Sequence, residues 1–298
     1  MHRTPRRLRH KHAEPPERNL FALVGERYQP LQEAGCGAVA LVHLAKDVRS
    51  GYDVAVKRLR GDKLGNDNAR FTLLTEARAL SLVRHPGIPA IYASRLGLPD
   101  PFIIEEFKDG LSFSLNNLKD ARRVLELSIS ICDMLSALHG AGIVHRDVKP
   151  SNLVLSSDKS TVSLIDYGFS IVPGLEDLVM RVDIAVGTPM FMAPEQTYPK
   201  AVIDRRADIY SLGMIVYQFL SGWYPYTIFP DKDEKEEYFR VHRSAGATPL
   251  HLRNDRIPKR LSYAVARALE KEPRKRYQDA EEFADALSGC LECAEEIY

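Results

Sequence analysis

The stretch that most constrains this chain is His145-Arg146-Asp147-Val148-Lys149-Pro150-Ser151-Asn152. Within eight residues it holds an acid, a base, a cation and an amide acceptor, between a helical pattern and a β-branched run. Taken alone, such a segment serves equally as a polar turn capping a helix. The choice falls to a catalytic loop because a glycine-rich turn, a strand lysine, a helix glutamate and a later Asp-Tyr-Gly stand around it in order.

The chain can carry a sizeable core: of its 298 residues, 45% are hydrophobic and 27% charged, enough for one large or two small domains. A net charge of +1 and a pI near 7.7 argue against a dedicated polyanion-binding protein. The charge is uneven, however. Arg3, Arg6, Arg7, Arg9 and Lys11, set among Pro5, Pro15 and Pro16, predict a disordered basic arm over residues 1–20. Such an arm either docks to an acidic partner, membrane headgroups or nucleic acid, or is a solvated tail. The four cysteines form no disulfide framework, and Cys290 and Cys293 lack a second pair to complete a zinc site, so they read as helix surface in a reducing cytoplasm. No apolar run approaches the roughly 20 residues of a membrane span, and the N-terminus has no apolar signal core. The expectation is a soluble, cytoplasmic chain.

From Tyr28 the pattern is β-like, and Gly35-Cys36-Gly37-Ala38 reads as a hairpin tip before Val42-His43-Leu44-Ala45. Two closely spaced glycines let backbone N–H groups approach phosphate oxygens with no Cβ in the way. Asp53-Val54-Ala55-Val56-Lys57 is an alternating strand that partly buries a lysine head, and a buried ammonium wants an anion. Helical spacing of Leu73, Leu74, Ala77 and Leu80 predicts a helix over Ala69 to Val83, on which Glu76 is the candidate partner. Residues 101–110 read as a buried strand ending in a turn that can join two lobes. A helix over Asp120 to His139 presents the catalytic loop, and Leu153-Val154-Leu155 with Val162-Ser163-Leu164-Ile165 makes a hairpin delivering Asp166. Asp208 is expected to be the buried cap of the apolar helix that begins near Ala207, tying back to the catalytic loop backbone, and the run Asp231 to Glu237 to be a solvated helix face.

From about Tyr28 to Leu287 these elements resemble the eukaryotic-type (Hanks-type) protein serine/threonine kinases. The phrases His85-Pro86-Gly87-Ile88-Pro89 and Pro194-Glu195-Gln196 are most like the bacterial members. The resemblance implies an α+β, two-lobed protein kinase fold: a small antiparallel-sheet N-lobe over residues 21–107 and a mostly helical C-lobe over 108–298, with the kinase domain at about 28–288. It implies transfer of the ATP γ-phosphate to serine or threonine hydroxyls of proteins. By that correspondence Asp147 accepts the hydroxyl proton, Lys149 neutralises the transferring group, Thr188 bonds near both, and Lys57 paired with Glu76 anchors the phosphates. Asn152 and Asp166 hold Mg²⁺. ATP lies against Ala34, Gly35, Cys36, Gly37, Ala38, Val42, Ala55, Lys57, Glu106, Phe107 and Leu153. The resemblance further pairs Arg276 with Glu195.

Ala40 stands where the family has its third glycine, Glu105 where a residue guards the pocket behind adenine, and Tyr167 replaces the Phe of Asp-Phe-Gly. These departures motivate the alternative of a pseudokinase that binds nucleotide as a scaffold. Glu105 is expected to compete with Glu76 for Lys57. Arg146 in this family commonly binds a phosphorylated residue of the activation segment, yet between Phe169 and Gly187 the only hydroxyl is Ser170, too close to Asp166 to serve. Of the anions Glu176, Asp177 and Asp183, the last is expected to stand in for that phosphate.

Overall fold

The computed structural model describes residues 27–97, 99–118, 120–175, 187–229, 233–294 and 297. The basic arm and the anions Glu176, Asp177 and Asp183 lie outside them.

Strands β1 (Tyr28–Cys36), β2 (Ala40–Asp47), β3 (Asp53–Leu59), β4 (Ile91–Arg95) and β5 (Phe102–Glu106) form one antiparallel sheet in the order β1-β2-β3-β5-β4. Period-two alternation sorts their side chains. Val54, Val56 and Ile104 pack on one face with Tyr28 and Ala45. Leu59 and Ile103 pack on the other against Ala69, Leu73 and Ala77 of helix α1 (Asp67–Leu82). The same alternation puts Ala55 and Lys57, and Glu105 opposite Ala55, on the α1 face. Helix α1 starts two residues ahead of the apolar pattern because Asn66 accepts a hydrogen bond from Ala69 N at 3.0 Å and caps it.

Beyond β5 the chain becomes helical: α2 (Ala121–Gly140), α3 (Arg206–Ser221), α4 (Glu234–Ser244), α5 (Leu250–Arg253), α6 (Lys259–Ala268) and α7 (Ala280–Ser288). Asp120 caps α2 through Arg122 N at 2.9 Å. A small antiparallel sheet, β6 (Leu111–Ser112), β7 (Leu153–Leu155) and β8 (Val162–Leu164), lies at the junction with the first lobe. Helix α3 is buried almost all round, as its unbroken apolar run demands, and forms the centre of the larger core. Ala79 and Leu80 of α1 join that core, so the helix carrying Glu76 touches both lobes. The α+β, two-lobed architecture is the expected one.

Three expectations need correction. Asp208 bonds the catalytic-loop backbone as expected but is not the cap of α3: the N-cap is Arg205, and Asp208 sits in the first turn, accepting from His145 N and Arg146 N. Cys290 is core rather than surface, because α7 ends at Ser288 and the chain turns inward there. Glu237 leaves the solvated face of α4: its Oε1 accepts from Phe229 N at 3.1 Å and its carboxylate pairs with Arg240. Among the described residues no helix is long and apolar enough to cross a membrane.

Candidate active site

Lys57 reaches from β3 into a cluster of acids. Its Nζ lies 2.6 Å from Glu76 Oε2 and 2.9 Å from Asp166 Oδ1. Burial works against the ammonium, but Glu76, Asp166 and Glu105 outweigh it and hold Lys57 above its ordinary pKa. Lys57 in turn keeps Asp166 below the usual carboxylate range, against its burial. Glu105 makes no direct ion pair with Lys57; burial first, and then the neighbouring Glu76, push its pKa up to about 8. Tyr167 N donates to Glu76 Oε1 at 3.4 Å, tying α1 to the turn after β8.

A second network surrounds Asp147. Its Oδ1 accepts from Thr188 N at 3.0 Å and from Thr188 Oγ1 at 3.2 Å, and its Oδ2 lies 2.7 Å from Lys149 Nζ and 3.1 Å from Asn152 Nδ2. Lys149 also donates to Thr188 Oγ1 at 2.8 Å, so this hydroxyl bridges acid and cation. Asn152 Nδ2 donates to the Asp147 carbonyl at 2.9 Å as well, which fixes the amide with its nitrogen toward the loop. Gly187, at φ +123°, is required beside it: a Cβ there would stand 3.0 Å from Arg146 O and 3.5 Å from Asp147 Oδ1.

The loop is strained, and buried partners hold it. Arg146 and Asp166 have φ of 67° and 68°, in the left-handed region that non-glycine residues seldom enter. Asp208 accepts from His145 N at 2.9 Å and Arg146 N at 2.8 Å, while Gln196 Nε2 donates to Arg146 O at 2.8 Å. His139 Nε2 lies 2.9 Å from the Asp208 carboxylate. The Tyr167 ring packs edge-on to His145, and its hydroxyl finds the Leu164 carbonyl at 2.7 Å. Arg276 grips Glu195 with two bonds of 2.7 Å, fastening the end of the activation segment. Sequence reasoning missed Gln196 and His139. Gln196 adjoins the quoted Pro194-Glu195, and His139 closes the last turn of α2, but neither position reveals its partner.

A cleft of about 720 Å³ separates the lobes. All eleven residues expected against the nucleotide line it, from Ala34 and Gly35 at the hairpin to Glu106, Phe107 and Leu153, together with Glu76, Lys149, Asn152 and Asp166. Asp147 and Thr188 lie outside that lining and are joined to it through Lys149 and Asn152. The cleft fits a nucleotide with its metal in two respects. A Cβ on Gly35 or Gly37 would make only ordinary contacts within the fold, at 4.0 and 3.4 Å, so no close neighbour in the fold excludes a side chain there, and its absence opens the hairpin to a phosphate chain. Asp166 and Asn152, the two residues expected to hold Mg²⁺, both line the cleft, and Asn152 gives its Nδ2 to Asp147, which leaves its Oδ1 as the oxygen donor.

Fold and site thus define a two-lobed protein built around a cleft that both lobes line, and residues 28–292 match the model of the protein kinase domain. The chain belongs to that family. It is 31% identical over 268 residues to the serine/threonine-protein kinase PknB of Mycobacterium tuberculosis, covering 87% of this chain and 42% of that protein. It is 33% identical over 277 residues to the serine/threonine-protein kinase Pkn1 of Myxococcus xanthus, covering 90% and 39%. The chain therefore spans about two-fifths of the length of these relatives, 42% and 39%. Protein kinases as a family use ATP and Mg²⁺ and act on protein substrates.

Proposed function

We propose that this chain is an ATP- and Mg²⁺-dependent protein kinase that phosphorylates serine and threonine hydroxyls. The observation that supports this most is the meeting, at one end of the cleft, of the Lys57–Glu76–Asp166 ion network with the Asp147–Lys149–Thr188–Asn152 network. Phosphoryl transfer asks for positioned cations and an acceptor for one proton rather than for covalent chemistry, and these are the groups present. When bound, MgATP supplies the phosphoryl group and the metal charge opposite it. Lys57, steadied by Glu76, holds the α- and β-phosphates. The backbone of Glu106 and Phe107 and the side chains of Val42, Ala55 and Leu153 enclose the base. Asp166 and the Oδ1 of Asn152 would hold the metal. Asp147 orients the substrate hydroxyl and takes its proton, Lys149 neutralises charge on the transferring group, and Thr188 keeps the two in register.

The chain divides in this reading at the turn after Glu106, into an N-lobe over 21–107 and a C-lobe over 108–298, preceded by a basic arm over 1–20 that would meet an acidic partner. A cytoplasmic site of action agrees with the free state of Cys36, Cys132, Cys290 and Cys293. The rival reading, a nucleotide-binding scaffold, draws on Glu105, the third carboxyl beside Lys57. One experiment separates them: incubation with labelled ATP and casein. The wild type transfers phosphate, while Asp147→Asn and Lys57→Met lose on the order of 10²-fold or more in kcat with an unchanged melting temperature. ATP binding without transfer by the wild type would establish the scaffold instead.

A further inference from the structure

The cleft does not end at Lys149. Sharing Lys149, Pro150 and Ser151 with it, and lined also by Thr188, is a groove of about 530 Å³. Its floor is the pair Phe113 and Phe219, ring centroids 4.8 Å apart, and its walls include Leu115 and Phe191. Leu115 is 39% exposed, at the tip of a turn that Asn117 Nδ2 ties down by donating to Ser112 O at 2.6 Å. The rest of the rim is neutral and polar. No carboxylate is among the described residues that line it, and Lys149 is its one charged side chain.

We infer that this groove seats an apolar side chain of the protein substrate, a few residues from the accepted hydroxyl, with Leu115 as a specificity-determining residue. The inference rests on the kinase reading above and names its substrate class. The groove shares Lys149 and Thr188 with the site of chemistry, Lys149 bonding Asp147 at 2.7 Å and Thr188 at 2.8 Å, so it is a surface that adjoins a hydroxyl held at Asp147. An arginine or lysine entering there finds no anion and the repulsion of Lys149, and desolvating it is costly. An acidic side chain finds a lysine already engaged by two partners. An apolar side chain covers Leu115 and Phe191 and loses no hydrogen bond.

The test is a set of peptides with one central threonine, each flanking position from three before to three after it varied among leucine, methionine, alanine, arginine and glutamate. Leucine or methionine at one position should exceed arginine and glutamate by at least about tenfold in kcat/KM. Leu115→Glu should raise KM for the leucine peptide by a similar factor and improve the arginine peptide, and Asn116→Glu, on the same exposed tip, should shift selection the same way. KM for ATP, measured alongside, reports any general damage to the fold. Transfer to every peptide with equal efficiency, a preference for arginine, or an unmoved peptide KM in Leu115→Glu would overturn the role of the groove and leave the kinase reading standing. Transfer to no peptide or protein would remove both.

Discussion

Glu105 decides how firmly Lys57 is held. Strand register puts the two on one face of the sheet, and burial together with Glu76 pushes the Glu105 carboxyl up to about 8. The raised pKa weakens the expected competition with Glu76 toward the acid side of 8, and Lys57 pairs with Glu76 and Asp166. The competition strengthens as pH rises through 8. The KM for ATP of the wild type should climb across that range, and Glu105→Gln should abolish the climb. Stability follows the same proton. The native state keeps it up to about 8 while the unfolded chain loses it near 4.5, so the unfolded state binds fewer protons between these values and stability falls as pH rises through them. Above 8 both states are ionised and this contribution is gone. Urea midpoints for the wild type and Glu105→Gln at pH 5.5 and 8.5 check the sign: the wild type should lose more stability between them, and parallel losses would refute it.

The catalytic loop is an element held by other elements. Its backbone is bonded by Asp208 from α3 and by Gln196 from the turn after Ala193, and that turn is locked by Glu195 to Arg276, in the turn between α6 and α7. Arg276 is fully buried and also donates to the carbonyls of Arg206, Glu270 and Lys271. Removing one member of the ion pair leaves the other charge without its partner in a largely dry site. Arg276→Met should cost about 3–5 kcal/mol, and the double variant Arg276→Met with Glu195→Leu should cost less than the sum of the single changes. Chemical denaturation of the four proteins of this cycle gives the coupling directly. Additive losses would mean that the pair is screened and contributes little to fastening the segment.

At the scale of the whole molecule α1 packs into the cores of both lobes, and the sequence between Phe169 and Gly187 offers a single hydroxyl as a covalent switch. Ser170, the only hydroxyl between Phe169 and Gly187, is 1% exposed, with its Oγ donating to His145 O at 3.5 Å. Arg146 Nε has no hydrogen-bond partner among the described residues. Activity should accordingly survive phosphatase treatment, with Asp183, outside the described residues, as the proposed acid for Arg146. An enzyme silenced by phosphatase would refute this, and mass spectrometry would then have to find a phosphate elsewhere on the chain.

Much of this molecule is local in origin and was readable as such. Period-two alternation at Val54 to Lys57 marked a strand with a buried lysine, helical spacing around Glu76 marked its partner helix, and the short spacing from Asp147 through Lys149 to Asn152 is set by one tight turn. What remained illegible depends on which distant groups meet. Asp208 is legible as a tie to the catalytic loop, but the partners that complete that tie are not: only packing of α3 under the loop brings His139 to Asp208 and Gln196 to Arg146. Glu237 and Cys290 looked exposed for a similar reason, since burial is a property of what covers a side chain. The raised pKa of Glu105 and the apolar groove beside Lys149 arise likewise from groups far apart in the chain, brought together by packing within each lobe, and no local pattern encodes that distance.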